Sequence, residues 1–350
     1  MKTNPLGKTA LRVSEIGMGT MTFGEQNTAQ EAALQLDRAV AAGINFVDTA
    51  EMYPVPGKPE TQGRTEEYVG RWLKGRPRDS VVLASKVAGP SRGFAWLRGG
   101  PAAVDRVNIR QALEGSLKRL QTDYLDLYQI HWPDRYVPMF GQTTYDPARE
   151  KPTIPIAEQL EALAGLVREG RVRHIGLSNE TPWGVTAFAR AAREAGLPEP
   201  VSIQNAYSLI NRTFETGLAE VCRHEGVSLL AYSPLGFGML SGKYAGSPQP
   251  PNPQPTGRIT LFPQFTARYA KPNTAPAAEA YARLAQKAGV APAVLALAFV
   301  RSRWFVTSTI IGATTLVQLE ENLSSLDYTI PPEVLAEIEA VHTRYPNPAP

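Results

Sequence analysis

The chain has one cysteine, Cys222, in 350 residues, so no intrachain disulfide can form and a small secreted fold stapled by disulfides is excluded. The run Leu218-Ala219-Glu220-Val221 before it reads as helix, and a buried structural thiol is expected there. No apolar stretch approaches the roughly 20 residues needed to span a bilayer, and Met1–Lys8 lacks the apolar core of a signal peptide. No contact with membrane is therefore expected, and the cytoplasm is the expected location. The formal net charge is only +3, and no Lys/Arg stripe is interleaved with aromatics, so a nucleic acid partner has no support. No GxGxxG follows the first strand and no GxxxxGK[ST] occurs, which removes a Rossmann dinucleotide site and a P-loop. No His/Asp cluster has metal-ligand spacing, so no metal is expected.

What is present is a large core and a strict rhythm. Hydrophobic residues make up 43% of the chain and charged residues 20%, as in a globular protein with an extensive interior. Asn4–Val13 reads as a hairpin around Gly7-Lys8. Short β-rich runs then alternate with amphipathic segments. Glu15–Gly19 precedes a helix opened by the capping box Thr28…Glu31 and stopped at Gly43. Ile44–Asp48 precedes Arg64–Leu73, Val81–Ser85 precedes Asp105–Leu120, and Leu125–His131 precedes Ile156–Glu169. Val172–Leu177 precedes Trp183–Ala195, Val201–Gln204 precedes Thr213–Glu225, Ser228–Tyr232 precedes Ala277–Gly289, and Thr309–Ile311 precedes Thr315–Leu326. Eight strand–helix units in strict alternation imply a parallel sheet and favour closure into a single (β/α)8 TIM barrel domain over residues 1–350. Pro54–Gly63, Pro90–Pro101 and Pro133–Pro155 interrupt the rhythm and read as long active-site loops. Gly246–Gly257 is too rich in Pro and Gly for regular structure and is expected to be mobile.

Chemistry concentrates at the ends of three consecutive strands. Asp48 closes one, Tyr53 follows it by five residues, Lys86 closes the next, and His131 closes the third. At the C-terminal rim of a parallel barrel these four would meet. A carbonyl carbon that receives a hydride becomes an alkoxide and needs a proton. A tyrosine hydroxyl can supply it, although its unperturbed pKa of about 10 makes it a weak acid. A neighbouring Lys86 ammonium, held by Asp48, is expected to lower that pKa, and His131 can polarise the substrate oxygen or relay the proton. Singly, each residue reads as packing, a cap or a surface salt bridge; the constellation is what points to catalysis.

The phrase DTAEMY at 48–53, Ser85-Lys86, LDLYQIHWPD at 125–134, GRVRHIGLSN at 170–179, AYSPLGFGMLSGKY at 231–244 and IIGATTLVQLEEN at 310–322 together resemble the aldo-keto reductases. Within that family, the opening NPLGKTALRVSEIGMGTMTFG and the long insertion after His131 resemble the bacterial Tas-like branch, which is related to the potassium channel β subunits. The resemblance implies an NADP(H)-dependent carbonyl reductase with an Asp48–Tyr53–Lys86–His131 tetrad. Channel β subunits have Asn where His131 stands, so the histidine favours turnover over the alternative, a redox-sensing module that binds NADP(H) and turns over slowly. The family spans monomers to octamers, which leaves homo-oligomers open.

Cofactor contacts follow from the same resemblance. Ser178, Asn179 and Gln204 match residues that bind the nicotinamide carboxamide, and Tyr232 matches the aromatic stacked on its ring. Ser233, Pro234, Leu235, Gly236 and Gly238 match the loop around the pyrophosphate, and Thr20 and Met21 flank the ribose. Lys243 and Arg258 resemble a cationic clamp for the 2′-phosphate. Gly312, Ala313, Thr314, Gln318, Glu321 and Asn322 match the adenosine end, although Thr315 also makes Gln318 half of a capping box. The rim aromatics Trp96, Trp132, Tyr136, Phe140 and Tyr145, with Met139, suit an apolar pocket for aromatic or medium-chain carbonyl compounds, or equally pack the loops down.

Overall fold

The computed structural model describes residues 1–90, 93–244, 257–263 and 267–350. Most of the Pro-rich stretch expected to be mobile, 246–256, lies outside the described residues. Eight parallel strands close a barrel: β3 (Ile16–Gly19), β4 (Phe46–Asp48), β5 (Val82–Val87), β6 (Leu125–Ile130), β7 (Val172–Ser178), β8 (Ser202–Ala206), β9 (Ser228–Tyr232) and β10 (Val306–Ile311), with β10 pairing back to β3. The expected (β/α)8 TIM barrel is therefore the observed fold. The N-terminal hairpin, β1 (Thr3–Pro5) against β2 (Arg12–Ser14), plugs the end where the strands begin. Its Leu6 and Val13 are fully buried with Phe46, Val82, Ala84, Leu127, Leu230 and Ile310.

Period-2 alternation carries this apolar layer upward into a polar one. Two residues beyond Phe46, Ala84, Leu127 and Leu230, on the same face of each strand, stand Asp48, Lys86, Gln129 and Tyr232. Gln204 stands two beyond the buried Ser202 on β8. Strand register holds them level, with Lys86 opposite Gln129 and Ser178 opposite Gln204. The barrel is thus dry at one end and charged at the other.

Helices α1 (Ala29–Ala41), α2 (Arg64–Leu73), α3 (Arg106–Leu120), α4 (Ile156–Arg168), α5 (Pro182–Ala195) and α6 (Leu218–Glu225) follow the first six barrel strands. Thr28 and Glu31 form the anticipated capping box on α1. The helix expected over Thr213–Glu225 is split, because Gly217 adopts φ 89° and the chain restarts at α6. Between β9 and β10 run α7 (Arg258–Leu261), α8 (Thr274–Lys287) and α9 (Pro292–Ser302), and after β10 come α10 (Leu316–Ser324) and α11 (Pro332–Arg344). The sequence reading missed α9. Ala293 to Val300 are all buried, and a helix apolar all round shows no amphipathic period. Among the described residues no single helix is long and apolar enough to cross a membrane.

Helices α2 and α3 approach so closely at Gly70 that an added Cβ would lie 2.3 Å from the Arg119 carbonyl oxygen. Gly70→Ala should therefore destabilise the fold by about 1–3 kcal/mol, the cost of overpacking, despite the better helix propensity of alanine. Urea unfolding would check this; an unchanged midpoint would mean the two helices separate freely.

Candidate active site

Lys86 is fully buried, and its Nζ donates to Asp48 Oδ2 at 2.6 Å and to the Thr49 carbonyl at 2.8 Å. A longer contact of 3.5 Å reaches the Tyr53 hydroxyl, and the ammonium also faces the Tyr53 ring, 4.8 Å from its centroid. The second Asp48 oxygen accepts from Gln204 Nε2 at 2.8 Å and from Gln129 Nε2 at 3.3 Å. His131, extending β6, sets its ring edge-on to Tyr53 with centroids 5.6 Å apart. The structure thus brings together all four residues picked from the strand ends.

The electrostatics differ from the sequence expectation in one respect. Burial pushes the Tyr53 phenol well above its usual pKa, and the neighbouring Asp48 carboxylate and Tyr232 push the same way. Burial also lowers the Lys86 pKa, against the opposing pull of Asp48. The lysine was expected to lower the tyrosine pKa, but its charge is spent on Asp48 at 2.6 Å rather than on the phenol at 3.5 Å. Tyr53 therefore stands as a protonated phenol at neutral pH.

Above this floor opens a cavity of about 950 Å³. Its lining includes Thr20, Met21, Tyr53, His131, Ser178, Asn179, Gln204 and Tyr232. Asn179 and Ser233 both have φ 54°, a conformation that non-glycine residues rarely hold and that clusters at functional sites. The amide of Asn179 is already engaged: Nδ2 donates to the His131 carbonyl at 2.9 Å and to Ser178 Oγ at 3.1 Å, and Oδ1 accepts from the Tyr232 hydroxyl at 2.7 Å. Pro234, Leu235 and Gly238 line the next wall, while Gly236 sits behind it against Ile210.

At the far wall, Lys243 and Arg258 line the cavity. Lys243 Nζ lies 3.0 Å from where a Cβ on Gly238 would stand, and Arg258 Nη2 lies 3.9 Å from the same point on Gly312. Burial lowers both pKa values, and Arg258 depresses that of Lys243 further. Gly312, Thr314, Gln318, Glu321 and Asn322 complete this wall at the N-terminal turns of α10. Buried Ala313 stands behind it, accepting from Thr22 Oγ1 at 3.3 Å. Thr315 Oγ1 caps α10 by accepting from Gln318 N at 3.2 Å, while Gln318 Oε1 accepts from Thr314 N at 2.9 Å. The capping box is therefore half formed, with the glutamine side chain bracing the loop instead.

Of the rim aromatics, Trp132, Tyr136 and Phe140, with Met139, line the cavity. Trp96 does not; it packs edge-on to Phe94, which does. Tyr145, half exposed, packs against Tyr136 with tilted rings 5.4 Å apart and does not line the cavity. The sequence reading missed Gln129, Phe94 and Arg268. The period-2 step from Leu127 would have placed Gln129 beside Lys86, whereas no local pattern marks the other two.

Comparison with known proteins agrees with this fold. The aldo/keto reductase family model matches residues 15–343. The chain is 52% identical to Protein tas of Escherichia coli over the full length of both. It is 40% identical to an aldo-keto reductase of Babesia bovis, covering 77% of this chain and 98% of that one. A probable voltage-gated potassium channel subunit beta of Oryza sativa is 31% identical, with 97% of this chain and 96% of that one covered. The chain belongs to the aldo/keto reductase family.

Proposed function

We propose that the protein, acting as one barrel domain over its whole length, reduces aldehydes and ketones to alcohols with NADP(H). The observation that carries this reading is the Tyr53 hydroxyl at the cavity floor, 3.5 Å from the Lys86 ammonium and with the His131 ring edge-on to its own. The cavity fits the cofactor. Lys243 and Arg258 are two partly desolvated cations that form no ion pair among the described residues, beside glycines that leave room for an anion. The N-terminus of α10 adds a favourable field for negative charge.

When bound, the nicotinamide supplies the hydride. Tyr53 donates a hydrogen bond to the substrate oxygen and passes its proton over as negative charge develops there. The phenolate left behind is 3.5 Å from the Lys86 ammonium, which stabilises it only once the charge exists. His131 polarises the same oxygen. Asp48 keeps Lys86 charged and aimed. Because Gln204 spends its amide nitrogen on Asp48, its carbonyl oxygen is the end offered to a carboxamide donor. Ser178 would support the same group, and Asn179 would act through Tyr232, whose hydroxyl it binds and whose ring would face the nicotinamide. Thr20 and Met21 would flank the ribose, and the 233–238 loop the pyrophosphate. Trp132, Tyr136 and Phe140 would contact substrate.

NADPH consumption with a panel of aromatic and aliphatic aldehydes tests this. Turnover supports it; tight binding of NADPH without turnover on any member would favour a regulatory module instead, a reading that draws on the channel-subunit relative. The clamp has its own test. Replacing Lys243 and Arg258 together by Met should weaken NADPH binding by about 10–100-fold, the scale of charge-assisted hydrogen bonds, and NADH binding much less. Fluorescence titration would show it, and equal losses for both nucleotides would remove the 2′-phosphate assignment.

A further inference from the structure

Among the described residues, Arg268 and Arg258 are the inward-facing arginines without an ion pair, and Arg268 is the more buried of the two. Arg98 is paired with Glu51, Arg119 with Glu66, Arg135 with Glu180, and Arg212 with Glu215 and Glu339. Arg268 is 7% exposed, yet among the described residues no carboxylate meets it. Its guanidinium lies 5.1 Å from the Phe140 ring centroid and 5.7 Å from that of Tyr269. Burial opposes its charge, but the phenol oxygens of Tyr269 and Tyr232 more than offset that and hold its pKa above the usual value. The guanidinium hydrogen-bonds the Tyr232 and Tyr269 hydroxyls; the rest of its five N–H donors remain, and its planar fork matches a carboxylate.

Its position says which ligand would use them. Arg268 lines the same cavity as Tyr53 and His131. It touches Tyr232, whose hydroxyl binds Asn179, whose amide in turn holds the His131 carbonyl. Gly141, in the long loop after His131, packs on its Cβ, and Lys271 Nζ holds the Gly141 carbonyl at 2.8 Å. These links join Arg268 to the tetrad end of the cavity and to the rim loop, while Tyr269 and Phe237 lead from it toward Arg258 on the far wall. Arg149 and Lys151 of that loop line the cavity as well. Of the nearby acids, Asp48 is held by Lys86, and Asp134 accepts from the Val104 and Ile154 amides. Asp134 is outnumbered by Arg268, Arg149 and Lys151, so the substrate end carries an excess of positive charge.

We infer that the substrate is a carbonyl compound bearing a carboxylate, and that Arg268 receives that carboxylate. The inference rests on the reductase reading above and names its substrate class. The test compares para-carboxybenzaldehyde with its methyl ester, which keeps the ring and the reacting group and removes the charge. Wild type should prefer the acid in kcat/KM by at least about 10-fold, the worth of one charge-assisted contact. Arg268→Met should abolish the preference through KM while leaving the ester within about twofold. Arg268→Lys, which keeps the charge but not the fork, should retain part of it.

A wild type without charge preference would overturn the inference, as would Arg268→Met lowering both aldehydes equally, the behaviour of a loop clasp. Weakened NADPH binding in the variant with the preference intact would place Arg268 on the cofactor instead. Calorimetry of benzoate against benzamide, on the NADPH complex of wild type and Arg268→Met, needs no turnover. If neither aldehyde is reduced but benzoate binding depends on Arg268, the reductase reading fails and the anion site stands; benzoate binding no better than benzamide removes the site.

Discussion

Tyr53→Phe should lower kcat for aldehyde reduction by at least about 100-fold, the scale of general acid catalysis, while NADPH affinity changes little. The ring survives the change, with its edge-on contact to His131 and its face toward Lys86; only the proton donor is lost. Steady-state kinetics beside a cofactor titration would separate the two. A variant that keeps wild-type kcat would remove Tyr53 as the acid. The sign of the pH response follows from burial. Because the phenol pKa is raised, the acid form persists on the low-pH side of a value above the ordinary one of about 10. Reduction should accordingly show no loss from phenol ionisation between pH 7 and about 10. An alkaline limb falling near pH 8 in wild type, absent from pre-bound substrate controls, would mean that the phenol ionises far more readily than its burial implies.

Lys86→Met should cost both activity and stability. It leaves the Asp48 carboxylate, 2% exposed, with hydrogen bonds from Gln204 and Gln129 but no counter-charge. Removing one member of a buried pair costs about 3–5 kcal/mol, because the remaining charge is stranded. The phenolate formed on proton transfer would also lose its stabilising ammonium, so kcat should fall by at least about 100-fold. Adding Asp48→Asn to Lys86→Met removes the stranded charge and should restore much of the stability but none of the activity. Urea midpoints and NADPH turnover on wild type, Lys86→Met, Asp48→Asn and the double variant give both readouts. A single variant as stable as wild type would show that the Asp48–Lys86 pair is not charged in the fold.

The strand ends were legible because chemistry and periodicity coincide there. Asp48, Lys86 and His131 each close a short apolar run, and Tyr53 follows at a fixed distance from Asp48. A carboxylate and an ammonium after buried strand residues need partners, which a barrel rim provides. Helix caps such as Thr28 and Thr315 were legible for the same local reason. Helix α9 was not, since a helix buried on every side carries no polar stripe. Nor was the direction of the Tyr53 pKa shift, which depends on how far the phenol is desolvated and on which oxygen Lys86 reaches first.

By itself, then, the sequence determined the alternation that closes a parallel barrel and the placing of Asp48, Lys86 and His131 at the ends of consecutive strands. These follow from local spacing, because strand period and hydrogen-bonding type are properties of a few adjacent residues. Only the tertiary structure decided that Arg268 enters the cavity with no carboxylate against it among the described residues, that Asn179 is spent on His131 and Tyr232, and that Phe94 rather than Trp96 lines the wall. Each depends on which distant segments pack together: Arg268 and Phe140 lie on separate loops, and their meeting is set by how the barrel orients both.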